Sequence, residues 1–366
     1  MKSGIFGSYE CKFEPIQTHD MKTQKRFARL LAILLLLPNL PSAAQKVSTV
    51  EPFLGMWALD LDYDDSNAGW LEVRQEEGYL DAEILWRWGS VYPVENTMVV
   101  GDMLLLTHGS DVVRKKDSDG NALRTHHPIY WFEITKEGSD MIRGNAVFPN
   151  ASGIGAEQVS FTGKKIPPYS GKKPDPKKAD YGNPVKLFNG KNLDGWELLG
   201  AGSTSGWRVE NGVLVNDPVQ KQGKRHINYG NLRTTATFED FNLTLEVNVP
   251  EGSNSGIYLR GIYEVQVMDS HGNPLDPHNM GALYSRITPL VAAEKPAGEW
   301  QDMEITLYKR YLTVKLNGTT IIDNQPVKGV TGGALTADET LPGPLYLQGD
   351  HGKVSYRNIV LTPIEK

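Results

Sequence analysis

Cysteine is almost absent: the 366 residues contain one, Cys11. Without partners it gives no basis for a disulfide, a thiolate metal centre or a cysteine-based catalytic pair. Long apolar runs are equally scarce, the nearest being Leu30 to Leu37, too brief to span a bilayer. Neither a GxGxxG nor a Walker phosphate loop occurs, and there is no Gly-x-Ser-x-Gly elbow. Nucleotide chemistry and the usual serine-hydrolase arrangement therefore lack their residues. Helical apolar periodicity over ten residues is nearly missing too, which points to an all-β chain.

What surrounds the apolar run decides where the protein is expected to work. Lys22, Lys25, Arg26 and Arg29 precede it, and Ser42-Ala43-Ala44-Gln45 follows it. A basic head, a short greasy middle and small residues before a cleavage point make residues 21–44 a signal peptide cut after Ala44. Residues 1–20, with Cys11, then lie upstream of a start at Met21. The expected location is periplasmic or secreted, with no membrane anchor. Net charge is −6 for the whole chain; residues 1–44 hold six basic and three acidic residues, so their removal leaves −9. An acidic mature chain argues against nucleic acid as a partner.

Roughly 320 mature residues exceed one small core, and a boundary is visible. Residues 166–184, beginning Ile166-Pro167-Pro168 and running through Lys172-Lys173-Pro174-Asp175-Pro176-Lys177-Lys178, are rich in Pro and Lys. This stretch reads as a semi-extended linker. On both sides, short runs of period two alternate with Gly, Asn and Asp. The expectation is a small antiparallel β-barrel or sandwich over 50–165, then a larger sandwich over 185–366. Deleting residues 45–165 should then leave a folded second domain. The strongest hairpin signal is Asn317-Gly318, which suits a type I′ turn.

The densest chemistry lies in Asn254-Ser255-Gly256-Ile257-Tyr258-Leu259-Arg260 and Tyr263-Glu264-Val265-Gln266-Val267-Met268-Asp269. Alternation places Tyr258 with Arg260 on one face of the first strand, and Glu264 with Gln266 on one face of the second. A two-residue turn at Gly261-Ile262 sets Arg260 opposite Tyr263; a three-residue turn sets it opposite Glu264, with Tyr258 opposite Gln266. The second register is expected, because separating the charges leaves each buried without a partner, at several kcal/mol. Such a face reads either as the lining of a sugar site or as an ordinary Arg–Glu cross-strand pair.

Five blocks in order carry a family resemblance. They are Leu187-Phe188-Asn189-Gly190-Lys191-Asn192-Leu193-Asp194-Gly195-Trp196; Trp207-Arg208-Val209-Glu210-Asn211-Gly212-Val213-Leu214; the Asn254 to Asp269 pair of strands; Lys295-Pro296-Ala297-Gly298-Glu299-Trp300; and Gln348-Gly349-Asp350-His351-Gly352 with Tyr356-Arg357-Asn358-Ile359. Together, over residues 185–364, they resemble the 3-keto-disaccharide hydrolase domain family. The resemblance implies a concanavalin A-like jelly-roll sandwich with its site on the concave face, and cleavage of glycosides already oxidised to a ketone at C3. The tract between Arg260 and Glu264 is shorter than the family pattern, and the block around His351 is slightly longer.

That chemistry needs one base and a donor cradle, because a C3 ketone acidifies the C2 hydrogen, the enolate expels the C1 substituent, and water adds to the enone. The expected catalytic residues are Glu264, Arg260 and His351; Tyr258, Gln266, Asp269, Lys295 and Gln348 are expected to bind substrate. No cofactor is called for, and a cation has only His271, Asp276 and His278 to suggest it. The substrate is an oxidised oligosaccharide or glycoside, so a separate sugar C3-oxidising enzyme must act upstream. The competing readings are a non-catalytic sugar-binding module and a conventional glycosidase pairing Glu264 with Asp269 or Glu246. Trp86 and Trp88 form either a sugar-stacking platform or core packing.

Overall fold

A computed structural model describes residues 49–64, 67–169, 171–200, 202–220 and 223–365. The expected signal peptide and Cys11 lie outside them. Apart from a 3₁₀ turn at Pro176–Lys178, every regular element described is a strand. No helix among the described residues is long and apolar enough to cross a membrane.

The first part is a nine-stranded antiparallel sheet, running in space from Tyr92–Pro93 through Leu80–Trp86, Ala68–Gln75, Gly55–Leu61, Ala156–Lys165, Met141–Pro149, Ile129–Lys136 and Met103–Gly109 to Asn96–Val100. Alternation puts Trp57, Leu59 and Leu61 on one face, where they close on Leu104, Leu106, Phe132 and Ile134. A short ribbon, Val112–Lys116 with Ala122–His126, stands apart from it.

The second part is a sandwich of an eight-stranded and a five-stranded sheet. Leu243, Leu245, Val247, Ile305, Leu307 and Val314 from the larger sheet share one apolar core with Leu232, Ile257, Leu259, Val265, Val267 and Leu347 from the smaller. The five-stranded sheet runs Trp196–Leu198, Leu232–Thr234, Tyr346–Leu347, Asn254–Leu259, Tyr263–Met268. Its odd-numbered residues in the last two strands fill the core, so the even-numbered ones face away. The Asn317-Gly318 turn forms as its sequence demands: both residues have positive φ, and Leu316 pairs with Thr319.

The segment 166–184 is held down instead of running free. Ile166 is buried in the second core, the Tyr169 hydroxyl donates to the Val327 carbonyl, and Asn324 Nδ2 donates to Pro174 O at 2.7 Å. The two parts also share side chains. Strand Ala68–Gln75 is buried on both faces: Leu71 and Val73 enter the first core, Ala68 and Trp70 the second. The Arg286 guanidinium stacks 4.2 Å from the Trp70 ring, and a Cβ on Gly329 would lie 2.3 Å from the indole nitrogen. Ser48–Lys366 accordingly form one compact unit.

Trp70→Ala removes a large, fully buried ring at this junction and is expected to cost about 3–5 kcal/mol. Denaturant unfolding with two probes, one in each part, should show both transitions moving down together; a shift confined to the first part would mean that the shared packing is not cooperative.

Candidate active site

The outward face of the five-stranded sheet forms the floor of a cleft of about 730 Å³. Tyr258, Glu264, Gln266, Tyr346 and Gln348 line it, with Asn254 at one end and Asp350 and His351 beyond Gln348. Asn254, Tyr258, Glu264, Gln266 and Tyr346 lie at even positions of their strands, so period-two geometry brings them to one surface, while Gln348, Asp350 and His351 follow past a strand end. Loop residues Gly332 to Leu335 and Asn228 to Asn231 make part of the walls.

Glu264 is the chemical centre. It sits opposite Tyr258 in the register, but its carboxyl reaches diagonally over Gly256: a Cβ there would lie 2.2 Å from Oε1. Only glycine leaves that space. Glu264 is 4% exposed, and burial pushes its pKa from 4.5 up to about 8. The Tyr258 hydroxyl lies 2.9 Å from Oε2 and 2.7 Å from the Gly332 carbonyl. A phenol has one proton and that carbonyl can only accept, so the two oxygens compete for it. The Tyr258 hydrogen bond favours the ionised carboxylate and offsets part of the rise that burial causes.

Tyr346 stacks on Tyr258 with ring centroids 4.0 Å apart and planes 9° off parallel. Burial holds both phenols above their ordinary titration range, so both stay protonated donors. At the other end of the cleft, Asp350 Oδ1 is 2.8 Å from His351 Nδ1. That bond raises the His351 pKa, with the Glu264 charge adding to it. The cleft therefore has a neutral, buried acid near a half-exposed imidazole that favours its cation. Asn254 Oδ1, Gln266 Oε1 and Gln348 Oε1 have no donor among the described residues. Three amide acceptors without partners suit a ligand rich in hydroxyl donors.

The register differs from the expected one, and with it the place of Arg260. Tyr258 pairs with Glu264 and Leu259 with Tyr263, so Arg260-Gly261-Ile262 is the turn itself. Arg260 adopts a positive φ of 55° and sends its guanidinium away from the cleft, donating to the carbonyls of Glu339 at 2.7 Å and Leu341 at 3.0 Å. It is no oxyanion donor here; it pins the 339–341 loop, where Tyr263 and Arg310 also hold the buried Glu339. Asp269 is likewise outside the cleft, accepting from the Gly252 N–H to close a turn. Lys295 donates to the Trp300 carbonyl at 2.8 Å, which takes it out of the lining. Glu246 is tied to Arg357 and Asn358 on the other sheet. Neither carboxylate considered as a glycosidase partner thus faces Glu264; among the described residues the cleft carboxylates are Glu264 and Asp350.

Among the described residues no three His, Cys, Asp or Glu groups are placed to hold a metal ion. Asp276 and His278 bond to one another at 2.6 Å, and His278 Nε2 meets Ser90 Oγ at 2.8 Å. The sequence reading missed Tyr346, although its spacing of two from Gln348 places both on one face. It also missed Asn231, whose Oδ1 accepts from Gly349 N–H at 2.7 Å and fixes the strand end before Asp350.

Gly256→Ala should push the Glu264 carboxyl toward water. Its ionisation, followed by infrared carboxyl bands against a Glu264→Gln blank, should fall from about 8 toward 4.5; an unchanged midpoint would show that Gly256 does not set the carboxyl's place. Between those two values the folded protein keeps a proton that the unfolded chain has lost, so stability should decline as pH rises, by up to a few kcal/mol. Denaturant midpoints of Glu264→Gln should lack this decline between pH 5 and 8.

Residues 183–362 match the family described as the 3-keto-alpha-glucoside-1,2-lyase-like domain. A 3-keto-disaccharide hydrolase of Bacteroides thetaiotaomicron is 26% identical over 166 residues, covering 38% of this chain and 57% of the relative, so the chain spans a little over half the length of that protein. Among solved structures, a provisionally named glycosyl hydrolase of Parabacteroides distasonis superposes with a TM-score of 0.40 at 27% identity, over 52% of this chain and 93% of the other. A non-specific endo-beta-1,3(4)-glucanase of family GH16 gives 0.33 at 12% identity, over 52% and 93%. The family match thus falls on the sandwich part of this chain, residues 183–362.

Proposed function

We propose that the protein cleaves 3-keto-glycosides by elimination and hydration, and that Glu264 is the base. The observation that carries this reading is one buried carboxyl with a pKa near 8 on the floor of a cleft lined with amides and phenols. An ordinary glycosidase sets two carboxyl groups across the scissile bond. Here the second cleft carboxylate, Asp350, is bonded to His351. A base of raised pKa is the stronger proton acceptor, and one near the working pH combines strength with a useful ionised fraction.

In this scheme Glu264 removes the C2 proton of the oxidised sugar. The C–H electrons become the enolate, whose oxygen the neutral phenol of Tyr346 receives as a hydrogen-bond donor, in the role expected of Arg260, while the Tyr258 proton stays with Glu264 and the Gly332 carbonyl. The enolate then expels the C1 oxygen with its bonding pair, and His351, kept cationic by Asp350, gives that oxygen a proton. Water adds at C1 of the enone and a proton returns to C2, so the net change is hydrolysis. Asn254, Gln266 and Gln348 accept from the sugar hydroxyls. The ketone must be installed beforehand by a C3-oxidising enzyme, and the signal-like residues 21–44 support export, to the periplasm or beyond.

Turnover of an oxidised disaccharide in heavy water should give product deuterated at C2; cleavage without label would rule out elimination. Glu264→Gln should lose about 10²- to 10⁴-fold in kcat. With Glu264 acting as base and His351 as acid, kcat/KM should rise with pH as Glu264 ionises and fall again as His351 loses its proton, giving a bell-shaped profile. Sugar binding without turnover, unaltered by Glu264→Gln, would instead identify a sugar-binding module.

A further inference from the structure

The strand Leu80–Trp86 ends in a turn that leaves the first sheet and enters the wall of the cleft. Arg87 has a φ of 70°, which breaks the alternation that would have kept Trp86 and Trp88 on one face. Trp86 turns inward and packs against Phe132, Phe148 and Phe161 at 5.2, 5.8 and 5.5 Å between centroids. Trp88 turns outward, is 56% exposed and lines the cleft together with Gly89.

The turn is held firmly in that position. Gly333 N–H donates to the Arg87 carbonyl at 3.2 Å, and Val91 N–H donates to Ser285 Oγ at 2.8 Å. Ser90 Oγ meets His278 Nε2 at 2.8 Å, and His278 is itself held by Asp276. Gly89 and Gly332 meet backbone to backbone, since a Cβ on Gly332 would lie 2.3 Å from the Gly89 carbonyl oxygen. The Arg87 guanidinium lies 4.1 Å from the Trp88 ring centroid and 3.7 Å from that of Tyr63, bracing the indole from one side. A large exposed aromatic ring on a fixed turn, with one side supported, is built for contact with a ligand.

We propose that Trp88 is a stacking platform for the leaving-group side of the substrate, selecting glycosides whose C1 substituent is a second pyranose or another flat ring. This rests on the assignment of Glu264 to the reacting sugar: that ring must lie on the floor, so the next ring meets the wall supplied by the first part. A cleft of about 730 Å³ is within the roughly 300–1,000 Å³ that accommodates drug-sized ligands, ample for two sugar rings. The first part of the chain therefore sets substrate length while the second part performs the chemistry.

The test uses binding, so that it is separable from turnover. In a Glu264→Gln background, calorimetry with an unoxidised glucosyl disaccharide and with methyl glucoside gives the gain in affinity from the second ring. Intact Trp88 should give a gain of about tenfold or more, Trp88→Ala should abolish it, and Trp88→Phe should restore most of it, with unchanged unfolding midpoints. Equal affinities for both probes with Trp88 intact, no binding of either, or a gain that survives Trp88→Ala would overturn the assignment. If the gain depends on Trp88 while the Glu264 protein fails to cleave an oxidised disaccharide, the platform stands and the reaction does not.

Discussion

A carboxyl group held under the lip of a β-sheet, where water cannot solvate its charge, is the constraint from which the rest of the site follows. Glu264 reaches that position because Gly256 has no side chain to occupy it. Burial then raises its pKa, the Tyr258 phenol is shared between it and Gly332, and Tyr346 stacks behind. A buried ionisable group without an opposite charge at bonding distance costs stability, and such costs gather where a protein does its work. The neighbouring His351 is shifted in the same direction by a different cause, since Asp350 biases its imidazole toward the cation. Desolvation raises one pKa and a carboxylate raises the other, and in the proposed reaction these two groups serve as base and acid.

Much of this was legible in the chain. Period-two runs gave the all-β class, Asn317-Gly318 gave its hairpin, alternation put Glu264 with Gln266, and the expected register added Tyr258 to their surface. What failed was the turn. Positive φ usually calls for Gly or Asn, so nothing in Arg260 suggests that it would adopt 55° beside Gly261 and become part of the loop. Shifting the loop by one position changes every cross-strand partner, and a guanidinium expected in the cleft instead braces carbonyls behind it. Arg87 departs from the local rule in the same way, and it is that departure which separates Trp86 from Trp88.

Lys295 and Asp269 escaped sequence reasoning for a different reason. Both sit in blocks that resemble the family, yet each side chain is taken up locally, by the Trp300 carbonyl and the Gly252 amide. Local hydrogen bonding of short loops is not written in residue spacing. The segment 166–184 shows the converse: its composition is that of a linker, but Ile166, Tyr169 and hydrogen bonds to its backbone fasten it to the sandwich.

The backbone contact of Gly89 with Gly332 has a wider consequence. Because one piece of the cleft wall, with Trp88 and Gly89, is lent by one sheet system and the floor belongs to another, that piece and the groups on the floor are written in separate stretches of sequence. If Trp88 acts as proposed, substitutions in the lent turn alter the length of the accepted molecule while Glu264 and its neighbours on the floor stay untouched.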